Sequence, residues 1–143
     1  MPGPPSTLKK ALVSEGFEIY RTAPNLISLA DRVRDNLLMD SGVAVVEGEN
    51  MAIRVVFRAQ ASNFPGEAAD GLFARARALS ATLIGRGYGE TGTDTVAISD
   101  PGDRSRTIDT WYEVTYSLPG VPQAKLYDEL RFVLGVAKNA ERT

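Results

Sequence analysis

The chain has 143 residues, a common length for a single domain, and its 43% hydrophobic and 24% charged residues are typical of a globular protein. Its 16 basic and 18 acidic residues give a net charge of −2, so the chain lacks the strongly basic character of a nucleic-acid-binding domain. It contains neither cysteine nor histidine. This composition excludes disulfides, thiol catalysis, the Ser-His-Asp triad and most zinc sites.

The N-terminal third predicts a helix, a short strand and a second helix. An apolar stripe that stops at Gly16 predicts a first helix with Ser6 as its N-cap. Phe17–Arg21 then predicts a short strand. Apolar residues at helical spacing predict a second helix over Asn25–Met39, which the Ser41-Gly42 pair ends. The stripe of this second helix consists of Leu26, Leu29, Ala30, Val33 and Leu37.

The middle of the chain predicts a β-hairpin followed by a long helix. Val43–Glu47 and Met51–Gln60 are the two strands of the hairpin, with a turn at residues 48–50. In the second of these strands apolar residues alternate with arginines, which is the period of two of a strand. The helix follows a loop and extends from Gly66 to about Ile84.

A second hairpin and a last helix are predicted in the C-terminal third. Thr93–Ser99 and Arg106–Leu118 are its strands. The turn between them contains Pro101, which presets its φ, and Gly102, which accepts a positive φ. The last helix begins near Pro122, a residue that the first turn of a helix tolerates, and extends to about Lys138.

This element order predicts an α+β fold with two layers. Two hairpins favour a mostly antiparallel sheet, and helices with one apolar stripe each favour packing on one face of that sheet. We expect a single domain over residues 1–143, with a flexible N-terminal tail at residues 1–5 and a polar C-terminal tail at residues 139–143. The predicted core consists of Ile53, Val55, Phe57, Leu72, Phe73, Leu79, Tyr112, Val114, Leu130 and Val133.

Two motifs resemble ligand sites but have a simpler structural explanation. Residues 87–92 match G-x-G-x-x-G, yet a helix precedes them and a strand follows, the reverse of a dinucleotide-binding loop, and Glu90 would repel a phosphate. Asp100, Asp103 and Asp109 lie near one turn, but their spacing is not that of a calcium loop, and turn formation explains Asp100 and Asp103 better.

Charged clusters elsewhere give no catalytic constellation. Asp31, Arg32, Arg34 and Asp35 carry the mixed charges of an exposed helix face. The chain's glutamates give no pair of the kind that glycosidases use. We therefore assign no catalytic residue, no cofactor and no metal ligand.

The second face of the sheet is the most informative surface. A lone Trp with two Arg and apolar neighbours is typical of a protein–protein interface. A further helix could instead cover this face, and stacking of single-stranded RNA bases is a weaker alternative because of the acidic balance. The predicted interface consists of Arg54, Val56 and Arg58 from one strand and Trp111, Glu113 and Thr115 from another.

The order and texture of residues 43–118 resemble the tail terminator and tail-completion proteins of long-tailed bacteriophages. Met51–Gln60 has Arg at its polar positions and leads into the Ala-rich helix Gly66–Ile84 and the long hairpin Thr93–Leu118, which contains Asp109-Thr110-Trp111-Tyr112-Glu113-Val114. The resemblance implies a structural protein without a catalytic site, which forms a ring between tail tube and head connector. The predicted helices at Asn25–Met39 and Pro122–Lys138 depart from it.

This resemblance implies a homo-oligomer that contacts other structural proteins in the virion, after assembly in the host cytoplasm. Binding to membranes or to specific nucleic-acid sequences is not expected, because the apolar runs are too short and the charge is slightly acidic. The alternative is a bacterial cytoplasmic α+β binding or chaperone-like module that acts as a homodimer. A small enzyme that uses Tyr, Lys or carboxylates is a third possibility. The oligomeric state distinguishes these classes. A ring would favour the phage protein, a dimer the binding module, and a monomer with a deep pocket the enzyme.

Overall fold

A computed structural model describes residues 4–35 and 37–141 of the chain. Residues 1–3, 142 and 143 of the predicted tails lie outside the described residues. The elements in chain order are helix α1 (Pro4–Ser14), strands β1 (Ile19–Ala23), β2 (Leu26–Arg34), β3 (Leu37–Val46) and β4 (Met51–Gln60), a 3₁₀ turn (Ala61–Asn63), helices α2 (Ala69–Ala78) and α3 (Ala81–Ile84), strands β5 (Gly89–Asp100) and β6 (Asp103–Val121), and helix α4 (Gln123–Glu141).

The six strands form an antiparallel sheet in the order β1-β2-β3-β4-β6-β5, which together with the helices confirms the predicted α+β class. Both predicted hairpins are present, and β1 and β2 extend the sheet beyond them. The chain divides into two compact units, residues 1–55 with 117–143 and residues 56–116. Packing of the helices on one face, and a single domain, stay predictions.

The predicted helix over Asn25–Met39 is wrong, because β2 and β3 occupy this segment. Asn25 adopts a positive φ of 61° in the tight turn that pairs Ala23 with Leu26, and this conformation cannot start a helix. The pairing of Asp31 with Met39 then fixes the two strands side by side. The apolar residues fit a helical spacing, but cross-strand pairing determines the structure.

A β-bulge explains why Ser41 and Gly42 do not end an element. Ser28 pairs with Ala44 while Ala30 pairs with Asp40, so β3 has more residues than β2 at this point. Gly42 has a φ of 83°, which glycine adopts without strain. The buried hydroxyl of Ser41 donates a hydrogen bond to the carbonyl of Leu29 at 2.7 Å. This bond gives the Leu29 carbonyl a partner at the bulge.

The remaining boundaries in the first unit shift by a few residues. Helix α1 starts at Pro4, so Ser6 lies inside it and is not the N-cap, whereas the predicted end at Gly16, with a φ of 95°, is confirmed. The first strand is Ile19–Ala23 instead of Phe17–Arg21. The β3–β4 hairpin is present as predicted, and it pairs Val43 with Val55.

Helical structure also reaches into both expected tails. Residues 4 and 5 belong to α1 and residues 139–141 belong to α4. Helix α4 contacts β3, and its inner residues Leu126, Leu130 and Val133 are fully buried. The inner face of α4 is therefore as predicted, but the helix extends to Glu141 and not only to about Lys138.

In the second unit the predicted long helix is two helices, α2 and α3. The break lies at Leu79 and Ser80, where the buried Ser80 hydroxyl donates to the carbonyl of Arg77 at 2.7 Å. This side-chain bond competes with the helical pattern and interrupts it. Strands β5 and β6 are both longer than Thr93–Ser99 and Arg106–Leu118, so the second hairpin extends further than its sequence indicated.

Seven of the ten predicted core residues are buried, and the other three are half-buried. The exceptions are Phe73, Leu79 and Tyr112, which lie at the margin of the second unit's core. Phe73 and Tyr112 meet edge-to-face with their centroids 5.2 Å apart. The buried members are Ile53, Val55, Phe57, Leu72, Val114, Leu130 and Val133.

Candidate functional site

A polar cluster forms around Trp111 on β6, within the second unit. The guanidinium of Arg58 lies over the indole ring, 4.1 Å from its centroid. The same guanidinium donates two hydrogen bonds to one oxygen of Glu113, at 2.8 and 3.1 Å. Strand alternation brings these groups together, because Trp111 and Glu113 are two residues apart on β6 and share a face.

Asp109 completes this cluster as an acceptor. The hydroxyl of Ser62 donates to one carboxylate oxygen at 2.8 Å and the Ser62 amide donates to the other at 3.0 Å. The Thr110 amide and the indole N–H of Trp111 donate to the same carboxylate, at 2.8 and 3.3 Å. Asp109 therefore joins the 3₁₀ turn that begins at Ala61 to strand β6.

Two opposing effects act on the pKa of Asp109. Desolvation raises it, but the hydrogen bonds from Ser62, Thr110 and Trp111 stabilise the carboxylate and together hold the pKa below its usual value. The carboxylate is thus charged at neutral pH and bonded to groups of its own chain. This is the arrangement of a structural acceptor, whereas a general base needs a free lone pair directed at a substrate.

The structure brings three of the six predicted interface residues into contact within the second unit. Arg58, Trp111 and Glu113 are in mutual contact through Arg58. Val56 and Thr115 are half-buried in the same unit. Arg54 is half-buried in the first unit, where it pairs with Ala44 across β3 and β4. No contact with a partner tests the interface itself, which stays a prediction.

The other candidate motifs have local structural roles. Gly87, with a φ of 100°, ends the helical region, and β5 begins at Gly89, so the glycine-rich segment links a helix to a strand as predicted. Glu90 is bonded to Arg77 at 2.9 Å, and this hydrogen bond lowers the pKa of Glu90. Asp100 accepts the Gly102 amide at 2.8 Å within the turn.

Residues 31–34 of the charged segment lie on β2 and not on a helix, and Asp35 follows in a turn. Arg32 donates to the carboxylate of Glu18 at 2.8 Å, and Asp31 lies 3.8 Å from the amine of Lys138. Both pairs are within the first unit. Among residues 4–35 and 37–141 no group of three or more Asp or Glu is arranged to hold a metal ion.

A groove in the first unit was missed by the sequence reasoning. It has a volume of about 480 Å³. Three exposed apolar side chains, Val13, Tyr20 and Leu38, line it together with the cations Lys9 and Arg21. Leu38 reaches the groove from β3, a segment that the sequence assigned to a helix, whereas the other lining residues lie on α1, on β1 and between them. Its full lining is Lys9, Val13, Phe17, Glu18, Ile19, Tyr20, Arg21, Thr22 and Leu38, and we call it the α1–β1 groove.

Comparison of the chain with protein-family models, with curated proteins and with solved structures gave no match. No helix within the described part of the chain is long and apolar enough to cross a membrane.

Proposed function

We propose that the protein is a non-enzymatic structural subunit that assembles with copies of itself into a ring, like the phage tail terminators that its sequence resembles. The observation that carries this proposal is the β5–β6 hairpin. Its strands have 12 and 19 residues, whereas β4, the other neighbour of β6, has 10. Every residue of 89–95 and of 101–108 is exposed.

Such a hairpin favours assembly for two physical reasons. Strand β6 is longer than β4, so part of the hairpin has no third strand beside it, and a two-stranded segment without further packing is at best marginally stable in water. In addition, β5 is an end strand of the sheet, so among the described residues one side of its backbone has no strand to pair with. Contact with another subunit would cover both the exposed side chains and the free edge.

The state of the carboxylates supports a structural role over an enzymatic one. Asp109, Glu113 and Glu90 are all bonded to donors of their own chain. With no histidine or cysteine in the sequence, acid–base or nucleophilic chemistry would have to come from tyrosines, lysines, hydroxyls or carboxylates, and these three carboxylates already have partners. Their existing partners suit them to hold the strands and helices together.

Light scattering and negative-stain electron microscopy of the purified chain at tens of micromolar test the proposal. A closed ring of about six subunits supports it, because contacts between unlike surfaces close into rings. A stable dimer would favour the chaperone-like module instead, and a monomer that also fails to cap isolated tail tubes would contradict the proposal. Genes for capsid and tail proteins are expected on either side of its own gene.

A further inference from the structure

The edge strand β5 carries a charged and apolar pattern on one face, where Asp94 is exposed and Val96, Ile98 and Asp100 are half-buried. Asp94, Val96, Ile98 and Asp100 are two residues apart from one another, so their side chains share a face, and we call this set the β5 stripe. Two carboxylates thus flank two apolar side chains. β5 has no lysine or arginine in its whole length, and its remaining acid, Glu90, is bonded to Arg77.

The α1–β1 groove has the complementary pattern. Lys9 and Val13 are one helical turn apart and lie on the same side of α1. Arg21 lies on β1, the other end strand of the sheet, whose residues 20–23 are all exposed. Within the described residues neither Lys9 nor Arg21 has a carboxylate partner. Two cations without a carboxylate partner therefore lie beside the apolar side chains of the groove, whose one acid, Glu18, is bonded to Arg32.

We propose that the α1–β1 groove binds the β5 stripe of a second copy of this chain, with the free edge of β5 pairing with the free edge of β1. Val96 and Ile98 then cover Val13 and Leu38, and Asp94 meets Lys9 or Arg21. The contact would pair the two strand edges, cover the exposed side chains of Val13 and Leu38, and bring the exposed Asp94 to a cation. This inference specifies the contact of the proposed self-association and rests on it.

The contact has a consequence for the assembly. It joins two different surfaces, so each subunit offers one β5 and one groove, and a chain of such contacts closes into a ring or extends as a filament. The β-sheet continues from one subunit into the next. A two-fold dimer built on like surfaces would not use this contact.

Single cysteines test the contact directly, because the natural chain has none. Thr22→Cys places a thiol on β1 in the groove, and Val96→Cys places one in the β5 stripe. The two variants are mixed, one of them ¹⁵N-labelled, and treated with a bismaleimide cross-linker. Mass spectrometry then separates heterodimers from homodimers. Glu49→Cys, in the exposed β3–β4 turn, replaces Val96→Cys in the matched control.

We expect the Thr22–Val96 heterodimer to exceed both homodimers and the Thr22–Glu49 control by at least about tenfold, as specific docking of one surface pair requires. An oligomer by light scattering in which this heterodimer stays at the control level overturns the docking inference and leaves the proposed self-association intact. A wild-type chain that is monomeric and gives no cross-linked dimer overturns both.

Charge exchange gives an independent readout. Arg21→Glu and Asp94→Arg are each expected to weaken association about tenfold, because each places like charges across the contact. The double variant carries both changes in every subunit and should regain association. Lys125→Glu, an exposed cation on α4, is the control and should have no effect. If the double variant associates more weakly than either single variant, the pairing of Arg21 with Asp94 is contradicted. Two substitutions that only damage the fold would add their effects, and neither would restore association.

Discussion

Arg58 and Trp111 form a stacked pair in which the guanidinium carbon lies 4.1 Å from the centroid of the indole ring. Glu113 accepts a hydrogen bond from the guanidinium at 2.8 Å, and Asp109 accepts one from the indole N–H. The only tryptophan of the chain thus has partners within its own unit. A subunit contact is no longer needed to explain its position, so its role at an interface depends on experiment.

Trp111→Ala separates the internal role of this side chain from an interfacial one. The free energy of unfolding should fall by about 1–2 kcal/mol, because the variant loses the cation–π contact and half-buried ring area. Urea denaturation followed by circular dichroism measures this, and light scattering of the same samples reports association. Trp111→Phe keeps a ring beneath Arg58 and is the control. If the oligomer survives Trp111→Ala, this face is not the subunit contact.

Phe57 and Phe73 were both predicted as core, but the structure distinguishes them. Phe57 is only 3% exposed and meets Tyr116 edge-to-face at 5.9 Å, so Phe57→Ala should cost about 3–5 kcal/mol. Phe73 is half-buried, and Phe73→Ala should cost about 2 kcal/mol. Chemical denaturation at one pH compares the two. Equal losses would show that the margin of this core is packed as tightly as its centre.

The pH dependence of stability should contain a contribution from Asp109. Its pKa is lower in the folded chain than the value of about 3.9 of an unfolded aspartate. The carboxylate therefore stabilises the fold above that pH, and this stabilisation is lost as the pH falls through the lower folded value. Asp109→Asn should destabilise the protein at pH 7, and the difference from wild type should narrow in acid.

Unfolding free energies from denaturant titrations between pH 7 and acid test this dependence. Glu49→Gln removes an exposed carboxylate from the β3–β4 turn and serves as the control, with a curve parallel to that of wild type. A gap between Asp109→Asn and wild type that stays constant with pH would show that the carboxylate's charge contributes nothing.

The sequence predicted elements well where one face of a strand is buried. In β4 the alternation of Ile53, Val55 and Phe57 with arginines corresponds to buried and more exposed positions in the structure. The same alternation placed Arg58, Trp111 and Glu113 on one face, and the structure brings them into contact. Side-chain periodicity is a local property, so it is visible in the sequence.

The groove and the β2–β3 pair could not be predicted in this way. The spacing of Leu26, Leu29 and Leu37 suits a helix as well as it suits two strands of an interrupted hairpin. What decides between them is the turn at Asn25 and the bulge near Gly42, which depend on pairing with neighbouring strands. The α1–β1 groove includes Leu38 of β3. Because the sequence assigned this segment to a helix, it did not predict the groove.

Substitutions at Asn25 test the hairpin against the helix that the periodicity favours. Its φ of 61° lies in the left-handed region, which asparagine and glycine tolerate and other L-residues enter at a cost of about 1–2 kcal/mol. Asn25→Ala should therefore lower the free energy of unfolding by about 1 kcal/mol, and Asn25→Gly should leave it within about 0.5 kcal/mol of wild type. The backbone carbonyl of Asn25, which accepts the Glu47 amide at 2.8 Å, remains in both variants.

The decisive result is which of the two variants is more stable. In the left-handed turn Asn25→Gly should be the more stable one, whereas in a helix Asn25→Ala would be. Alanine stabilises a helix relative to glycine by about 1 kcal/mol. Asn50, in the β3–β4 turn and without a positive φ, provides the matched pair Asn50→Ala and Asn50→Gly, for which alanine should be at least as stable as glycine. Thermal or urea unfolding of the four variants measures the order. Greater stability of Asn25→Ala than of Asn25→Gly would contradict the left-handed turn and, with it, the β1–β2 hairpin, whose first strand lines the groove.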